Sequence, residues 1–327
     1  MKAFAYINPA NEKEAVAALS PQVEQSMPLG GGQDLLARMK DYVTQPERLV
    51  NVKTALESTV TPVGGGLRIG AAMKMADVAE HPEILRMYPA ISAAAIEVGT
   101  PQIRNQATVG GNLNQRPRCW YYRNEEFVCF KKGGDRCFSP QGENQFHAIL
   151  GAGPSFIVHP SSLAVPMLAY GATFRLAGPK GERLVPAANY FTLPRQSLRM
   201  ENVLAPDELL THVILPAPGN VKSGHYEVRY KASHDWPIAF ATVLIAMNGS
   251  VVKEAKVVMG AVAPVPWRSA EAEQALVGKS ITEATAAAAA EAAMKNARPL
   301  SQNGYKVDVA KTAVKRAILR AAGIQTA

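Results

Sequence analysis

Across 327 residues the chain is 47% hydrophobic and 19% charged, enough for a sizeable core in two domains or one large domain with subdomains. No run reaches eighteen apolar residues and the start, MKAFAYINPANEKEAV, has no apolar leader, which excludes a membrane-spanning helix and points to the cytoplasm unless a signal-bearing partner exports the chain. The formal net charge is +8 but no Lys/Arg run exceeds two residues, so the surplus reads as a solvated surface or a face for an acidic partner subunit, not a nucleic-acid stripe.

Residues 4–8 are predicted as a short strand and 11–19 as a helix with Ala15, Val16 and Leu19 on its apolar side. Residues 27–29 read as extended and 34–39 as helical. Gly30–Gly32 is then a strand-to-helix turn, where backbone N–H groups and a helix N-terminus can meet a pyrophosphate. A strand at 46–52 follows, and Gly64-Gly-Gly66 turns a hairpin between 59–63 and 67–70. A helix begins at Lys74 and breaks at His81-Pro82; another spans 91–98 and stops at Gly99. Residues 114–144 differ in character: they hold all three cysteines, six basic residues and little periodicity, and read as an inserted loop. Strands are predicted at 147–150 and 156–159, a helix at 162–170, and a hairpin from 172–176 and 183–186. A strand at 211–215 ends at Pro216-Ala-Pro-Gly219, the predicted boundary between domains 1–218 (subdomains 1–57 and 58–218) and 219–327. Beyond it, 224–232, 239–247 and 255–260 read as antiparallel strands with Asn248-Gly249 as a hairpin turn. Ser280-x-x-Glu283 reads as a capping box for the alanine-rich helix, and 308–322 is amphipathic up to Gly323. The class is α+β.

Two stretches carry a ligand reading: Pro28-Leu-Gly-Gly-Gly-Gln-Asp-Leu-Leu36 and Gln102-Ile-Arg-Asn-Gln-Ala-Thr-Val-Gly-Gly-Asn-Leu113. Adjacent glycines permit positive φ and let backbone N–H groups approach a ligand, and N–H groups that point one way form an anion-binding concavity. Asp34, Thr108 and Asn112 add polar side chains. Together the loops suggest one extended dianionic ligand, such as a dinucleotide. The usual signatures are missing: Leu35 stands where G-x-G-x-x-G needs its last glycine, and Gly278-Lys279-Ser280 lacks the upstream P-loop glycine, replaced by Glu273. No G-x-S-x-G, H-E-x-x-H or meaningful acid pair is present and the histidines are scattered, so a bound redox cofactor would carry the chemistry.

With these residues in view, the chain resembles the FAD-binding (medium) subunit of the molybdenum hydroxylases, the group of xanthine dehydrogenase, carbon monoxide dehydrogenase and aldehyde oxidoreductase. The resemblance rests on PLGGGQDLL at 28–36, IGAAMKMADVAEHP at 69–82, GTPQIRNQATVGGNL at 99–113, HPSSLAVPMLAYGA at 159–172 and YKASHDWPIAFATV at 230–243, in the family's order. It implies a two-subdomain FAD-binding domain of the vanillyl-alcohol-oxidase/PCMH type, then a smaller α+β domain of antiparallel sheet and helices. It places Leu29, Gly30, Gly31, Gly32, Gln33, Asp34, Leu35 and Leu36 around the pyrophosphate, Thr108, Val109, Gly110, Gly111 and Asn112 in a second clamp, and Val98 near the flavin. Ser162 stands where relatives carry an acidic cofactor contact, and the lysine frequent near 238–242 is missing. The implied partners are a molybdopterin-binding large subunit and a small subunit with two [2Fe–2S] clusters, in a heterotrimer or its dimer. The chain would take electrons from those clusters onto FAD and pass them to an external acceptor.

Cys119-x9-Cys129-x7-Cys137 matches neither a C-x-x-C pair nor a zinc ribbon, and an odd count argues against a disulfide framework. Free thiols are the plain reading. Some relatives, among them the flavin subunits of 4-hydroxybenzoyl-CoA reductase and periplasmic aldehyde oxidoreductase, carry a [4Fe–4S] cluster on an inserted loop with four cysteines. Here the cluster would need a fourth ligand such as His147 or Asp135, or would lack one. Two alternatives stay open: a self-sufficient flavin oxidoreductase similar to the reductases of cell-wall precursor synthesis, and a non-enzymatic scaffold stapled by metal at the cysteines.

Overall fold

The structure is a computed structural model that describes residues 1–232 and 234–325. Its first sheet is small and wholly parallel: β1 (Ala5–Ile7), β2 (Ser26–Leu29) and β3 (Arg48–Asn51), in the order β1-β3-β2. The crossovers are two short helices, Glu12–Ala17 and Leu35–Lys40. Asn11 caps the first by accepting from the Glu14 N–H, while the Glu14 carboxylate accepts from Ala10. Leu35, Met39 and Leu49 form one small apolar cluster, and Ala15, Leu19, Val50 and Val52 meet Leu209 in another.

The second sheet is antiparallel: β4 (Val60–Val63), β5 (Gly66–Gly70), β6 (Thr173–Gly178), β7 (Gly181–Pro186) and β8 (Leu209–Leu215), in the order β4-β5-β8-β6-β7. Its core is the largest, with Ile69, Met75, Tyr88, Phe174 and Tyr190 fully buried. The helices Met75–Glu80, Pro82–Met87 and Pro89–Ile96 contribute to it. Pro82 and Pro89 each open a helix at the position where no N–H is needed, so the chain turns twice instead of forming one long rod. Tyr88 then donates its hydroxyl to Pro216 O at 2.6 Å, pinning the helices to the end of β8.

The third sheet is also antiparallel: β9 (Lys222–Val228), β10 (Ala239–Asn248), β11 (Val251–Gly260) and β12 (Trp267–Arg268), ordered by sequence. Alternation along β10 divides its burial. Ala239, Ala241, Val243 and Ile245 pack with the helices Ala270–Leu276, Glu283–Ala293 and Lys306–Ala321, whereas Phe240 and Leu244 enter the core of the second sheet. β11 divides likewise, with Val258 in the core of the second sheet and Val257 and Met259 on the helix side, so the two large cores are joined through both strands. Among the described residues no helix is long and apolar enough to cross a membrane.

Three local expectations are corrected. Residues 147–150 and 156–159 are not strands. They run beside the chain after β11, where Ile149 and Leu150 N–H groups donate to Val262 O and His159 N–H to Ala263 O, without a ladder. The capping box lies at Thr282 and Thr285, because two threonines exchange side-chain and backbone bonds there; Glu283 is the first helical residue. The strand predicted at 224–232 ends at Val228.

Residues 114–144 form the inserted segment, with one helical turn at Trp120–Arg123 and one 3-10 turn at Phe130–Lys132. Edge-to-face and stacked contacts join Trp120, Tyr121, Phe127 and Phe138 of this segment with Phe146 just beyond it in a partly exposed aromatic cluster.

Candidate functional site

The two glycine loops face each other across a cavity of about 430 Å³. Gly30, Gly31, Gly32, Gln33, Asp34 and Leu35 line one side; Thr108, Gly110, Gly111 and Asn112 line the other, with Val98 and Ser162 also on the wall. Leu29 and Leu36 pack instead with the Leu35 cluster and Val109 in the main core. The loops meet because Gly31 has no side chain: a Cβ there would lie 2.0 Å from Gln106 O and 2.8 Å from Ala107 Cα. Of the five glycines only Gly32 has positive φ, so the others serve close approach.

The loops are not equivalent donors. Val109 and Gly110 N–H groups are spent on Met73 O and Ala71 O, Gly111 on the Thr108 hydroxyl, and Asn112 on Thr108 O. That pattern caps the short Val109–Leu113 helix. By contrast, the N–H groups of Gly30, Gly31, Gly32 and Gln33 have no hydrogen-bond acceptor among the described residues. Uncommitted backbone donors around a cavity suit the oxygens of an anionic ligand. Asn112 is oriented by Ser161, whose hydroxyl donates to Oδ1 at 2.6 Å. Asn114 ties the second loop down by donating to Gly110 O and accepting from Tyr190 and Asn202.

Asp34 lines the cavity, but its carboxylate is occupied. Oδ1 meets Arg118 Nη1 at 3.1 Å and Arg123 Nη2 at 2.5 Å; Oδ2 meets Arg38 Nε at 3.1 Å and accepts from the Arg116 N–H. Burial pushes the carboxyl pKa up, and the three guanidiniums outweigh it and hold it below the usual range. Glu201 behaves likewise: burial raises it, and Arg116 at 2.5 Å and Lys131 at 2.7 Å bring it below normal. Five cations therefore surround two carboxylates. Arg118 feels the surplus: burial lowers it to about 10 against the opposing pull of Asp34. The other carboxylates on the wall are also engaged, Glu97 by Arg229, Glu208 by Arg183, and Asp235 by the N–H groups of Lys231 and Trp236.

Residues 2–218 match the family described as the FAD binding domain in molybdopterin dehydrogenase, and residues 224–321 the CO dehydrogenase flavoprotein C-terminal domain. The chain belongs to this family. It is 34% identical to the aldehyde oxidoreductase FAD-binding subunit PaoB of Escherichia coli over 316 residues, covering 95% of this chain and 96% of that one. The carbon monoxide dehydrogenase medium chain of Hydrogenophaga pseudoflava is 28% identical over 321 residues, with 96% of each covered. A solved structure of that organism's carbon monoxide dehydrogenase, lacking the Mo-pyranopterin moiety of the molybdenum cofactor, superposes with a TM-score of 0.77 at 26% identity over 98% of each chain. The resemblance read from the motifs holds, and FAD is the cofactor of this flavoprotein. The donors of 30–33 and the contact between Gly31 and Gln106 fit an FAD diphosphate. When bound, FAD supplies the electron-accepting ring; the flavoprotein supplies the cradle.

The three cysteines gather within the inserted segment. Burial pushes the Cys119 thiol up to about 12, and Cys137 and Cys129 are near enough to add repulsion. His147 Nε2 lies 3.3 Å from Cys119 Sγ, and its buried Nδ1 has no partner among the described residues. Burial and the Lys306 ammonium lower this imidazole to about 4, which keeps it neutral. Among the described residues no three His, Cys, Asp or Glu side chains converge as the ligands of one metal ion. A cubane cluster spreads its ligands over separate irons, so it does not require that convergence.

Sequence reading missed the arginines as a group, along with Glu201, Ser161, Asn114 and Trp236. The available signal was the density of basic residues at 116–136; their carboxylate partners, Asp34 and Glu201, lie far away in the chain.

Proposed function

We propose that this chain is the FAD-carrying electron-transfer subunit of a molybdenum-dependent hydroxylase or dehydrogenase, divided at about residue 218 into an FAD-binding and a C-terminal domain. A molybdopterin-binding large subunit would oxidise the substrate and a small [2Fe–2S] subunit would relay electrons, in a heterotrimer or its dimer in the cytoplasm. The carrying observation is the state of the cavity wall. Every carboxylate on it is already held by a guanidinium or by backbone N–H groups, so none is poised as the acid or base a self-sufficient oxidoreductase needs. Such a wall can bind a dinucleotide, exclude water and set its potential by charge, leaving bond-making to another subunit. The purified chain is expected to release FAD on denaturation and to oxidise no purine or aldehyde alone, yet to be reduced when mixed with its loaded partners. Steady turnover by the isolated chain would overturn this reading.

The cysteines support a second centre in the same chain. Three thiols of one segment, a neutral imidazole against Cys119 and the Lys132 ammonium beside Cys129 and Cys119 suit an anionic iron–sulfur cluster with His147 as the fourth ligand. Iron and acid-labile sulfide in equal amounts, both lost in His147→Ala and retained in His147→Cys, are the expected analysis. Colourless thiols after anaerobic purification would leave these residues as free cysteines.

A further inference from the structure

Arg118 belongs to the inserted segment, outside both glycine loops, yet it stands on the cavity wall. Its groups are unevenly engaged. Nη1 meets Asp34 at 3.1 Å, Nη2 donates to Gln115 Oε1 at 3.0 Å, and the guanidinium carbon lies 4.5 Å from the ring centroid of Trp236. Nε is buried and has no hydrogen-bond partner among the described residues. A guanidinium N–H withdrawn from water without an acceptor is unfavourable, and the deficit ends when a ligand oxygen enters. The sign of that ligand follows from the neighbours. Arg38, Arg116, Arg123 and Lys131 share with Arg118 only two carboxylates, Asp34 and Glu201, so this cluster, which Arg38, Arg116 and Arg118 carry onto the cavity wall, holds uncompensated positive charge. Trp236, half exposed on the loop between β9 and β10, bears on the face of the guanidinium.

We propose that Arg118 is a binding residue for the dinucleotide, donating its free Nε–H to an anionic oxygen of the ligand, with Trp236 as the positioning residue that fixes the guanidinium plane. The inserted segment is then part of the FAD site and not an appendage beside it. This rests on the FAD reading above.

The test is the dissociation constant of FAD for the full chain, followed by flavin fluorescence at a series of sodium chloride concentrations. Arg118→Gln is expected to weaken FAD by about ten- to hundredfold and to flatten the salt dependence. Arg118→Lys keeps the charge but not the planar fork, and should recover the salt dependence more than the affinity. Trp236→Leu, which leaves all charges in place, should weaken FAD severalfold without altering the salt dependence. It also covers the case in which Arg118→Gln does not fold, as judged by near-UV circular dichroism. Arg118→Gln that folds and binds FAD within twofold of wild type, or Trp236→Leu with unchanged affinity, would overturn the proposal. A wild-type chain that binds no FAD at any salt concentration would instead defeat the underlying FAD reading.

Discussion

Gly31→Ala is the sharpest test of how the two loops make one site. A Cβ at residue 31 would sit 2.0 Å from Gln106 O, 2.6 Å from its carbonyl carbon and 2.8 Å from Ala107 Cα. Carbon and carbonyl oxygen tolerate each other at roughly 3.3 Å, so the loops must separate by about 1.3 Å. The obstructing atoms are backbone, and no rotamer change relieves them. Overpacking of this kind costs about 1–3 kcal/mol, and if it falls on the bound state alone FAD affinity drops about five- to 150-fold. Gly111→Ala is the internal control: its Cβ meets only the Thr108 hydroxyl, at 3.0 Å, a side chain able to shift. FAD titration with a parallel thermal melt separates binding from stability. If Gly31→Ala bound FAD like wild type and melted at the same temperature, the close approach of the loops would be irrelevant to the site.

Asp34→Asn should lower stability by about 3–5 kcal/mol in a urea titration, since three guanidiniums lose their carboxylate; a loss below about 1 kcal/mol would refute the anchoring role. The same pair predicts a pH dependence. The depressed folded pKa of Asp34 means its contribution is complete above the unfolded value, about 3.9, and is lost as pH falls through the lower folded value. The stability gap between wild type and Asp34→Asn should therefore hold at neutral pH and close in acid, and a gap constant down to pH ~2 contradicts it. Lys306→Met is expected to loosen the end of the inserted segment, because the buried ammonium donates to Phe146 O, His147 O and Ala261 O. Each orphaned acceptor costs about 1–3 kcal/mol, and an unshifted melting temperature would refute the role.

Local patterns were legible where they were sufficient causes. The hairpin predicted at Asn248-Gly249 forms one residue on, with Gly249 and Ser250 as the turn and Asn248 paired with Val251, and the apolar stripe of Lys306–Ala321 makes its helix, because both are specified within a few residues. The run at 147–150 misled because its apolar residues are buried against Val262 and Ala263 without a ladder, a tertiary arrangement that alternation does not encode. The glycine loops were visible as a site, but their unequal roles were not. Gly110 and Gly111 look like phosphate donors in sequence, yet their N–H groups are consumed by Ala71 O and the Thr108 hydroxyl. Asp34 was legible as part of its loop but its ion pairs were not, because Arg118 and Arg123 come from a distant stretch of chain.

The smallest sheet carries the most exposed responsibility. Strands of three and four residues and two minor apolar clusters hold residues 1–51 together, whereas the later sheets share large cores. A unit with so little cohesion of its own is the first to open in a native-state fluctuation. If FAD engages the uncommitted donors of 30–33 that sit on it, as proposed, it supplies from outside what this unit lacks within, about 2.7 kcal/mol when free FAD is a hundred times its dissociation constant. Flavin loading and consolidation of the N-terminal fifty residues would then be one event: amides of β2 and β3 should slow their hydrogen exchange on FAD addition while those of β10 and β11 keep their rates, and a newly made chain short of FAD would be trimmed by proteases from its N-terminal end.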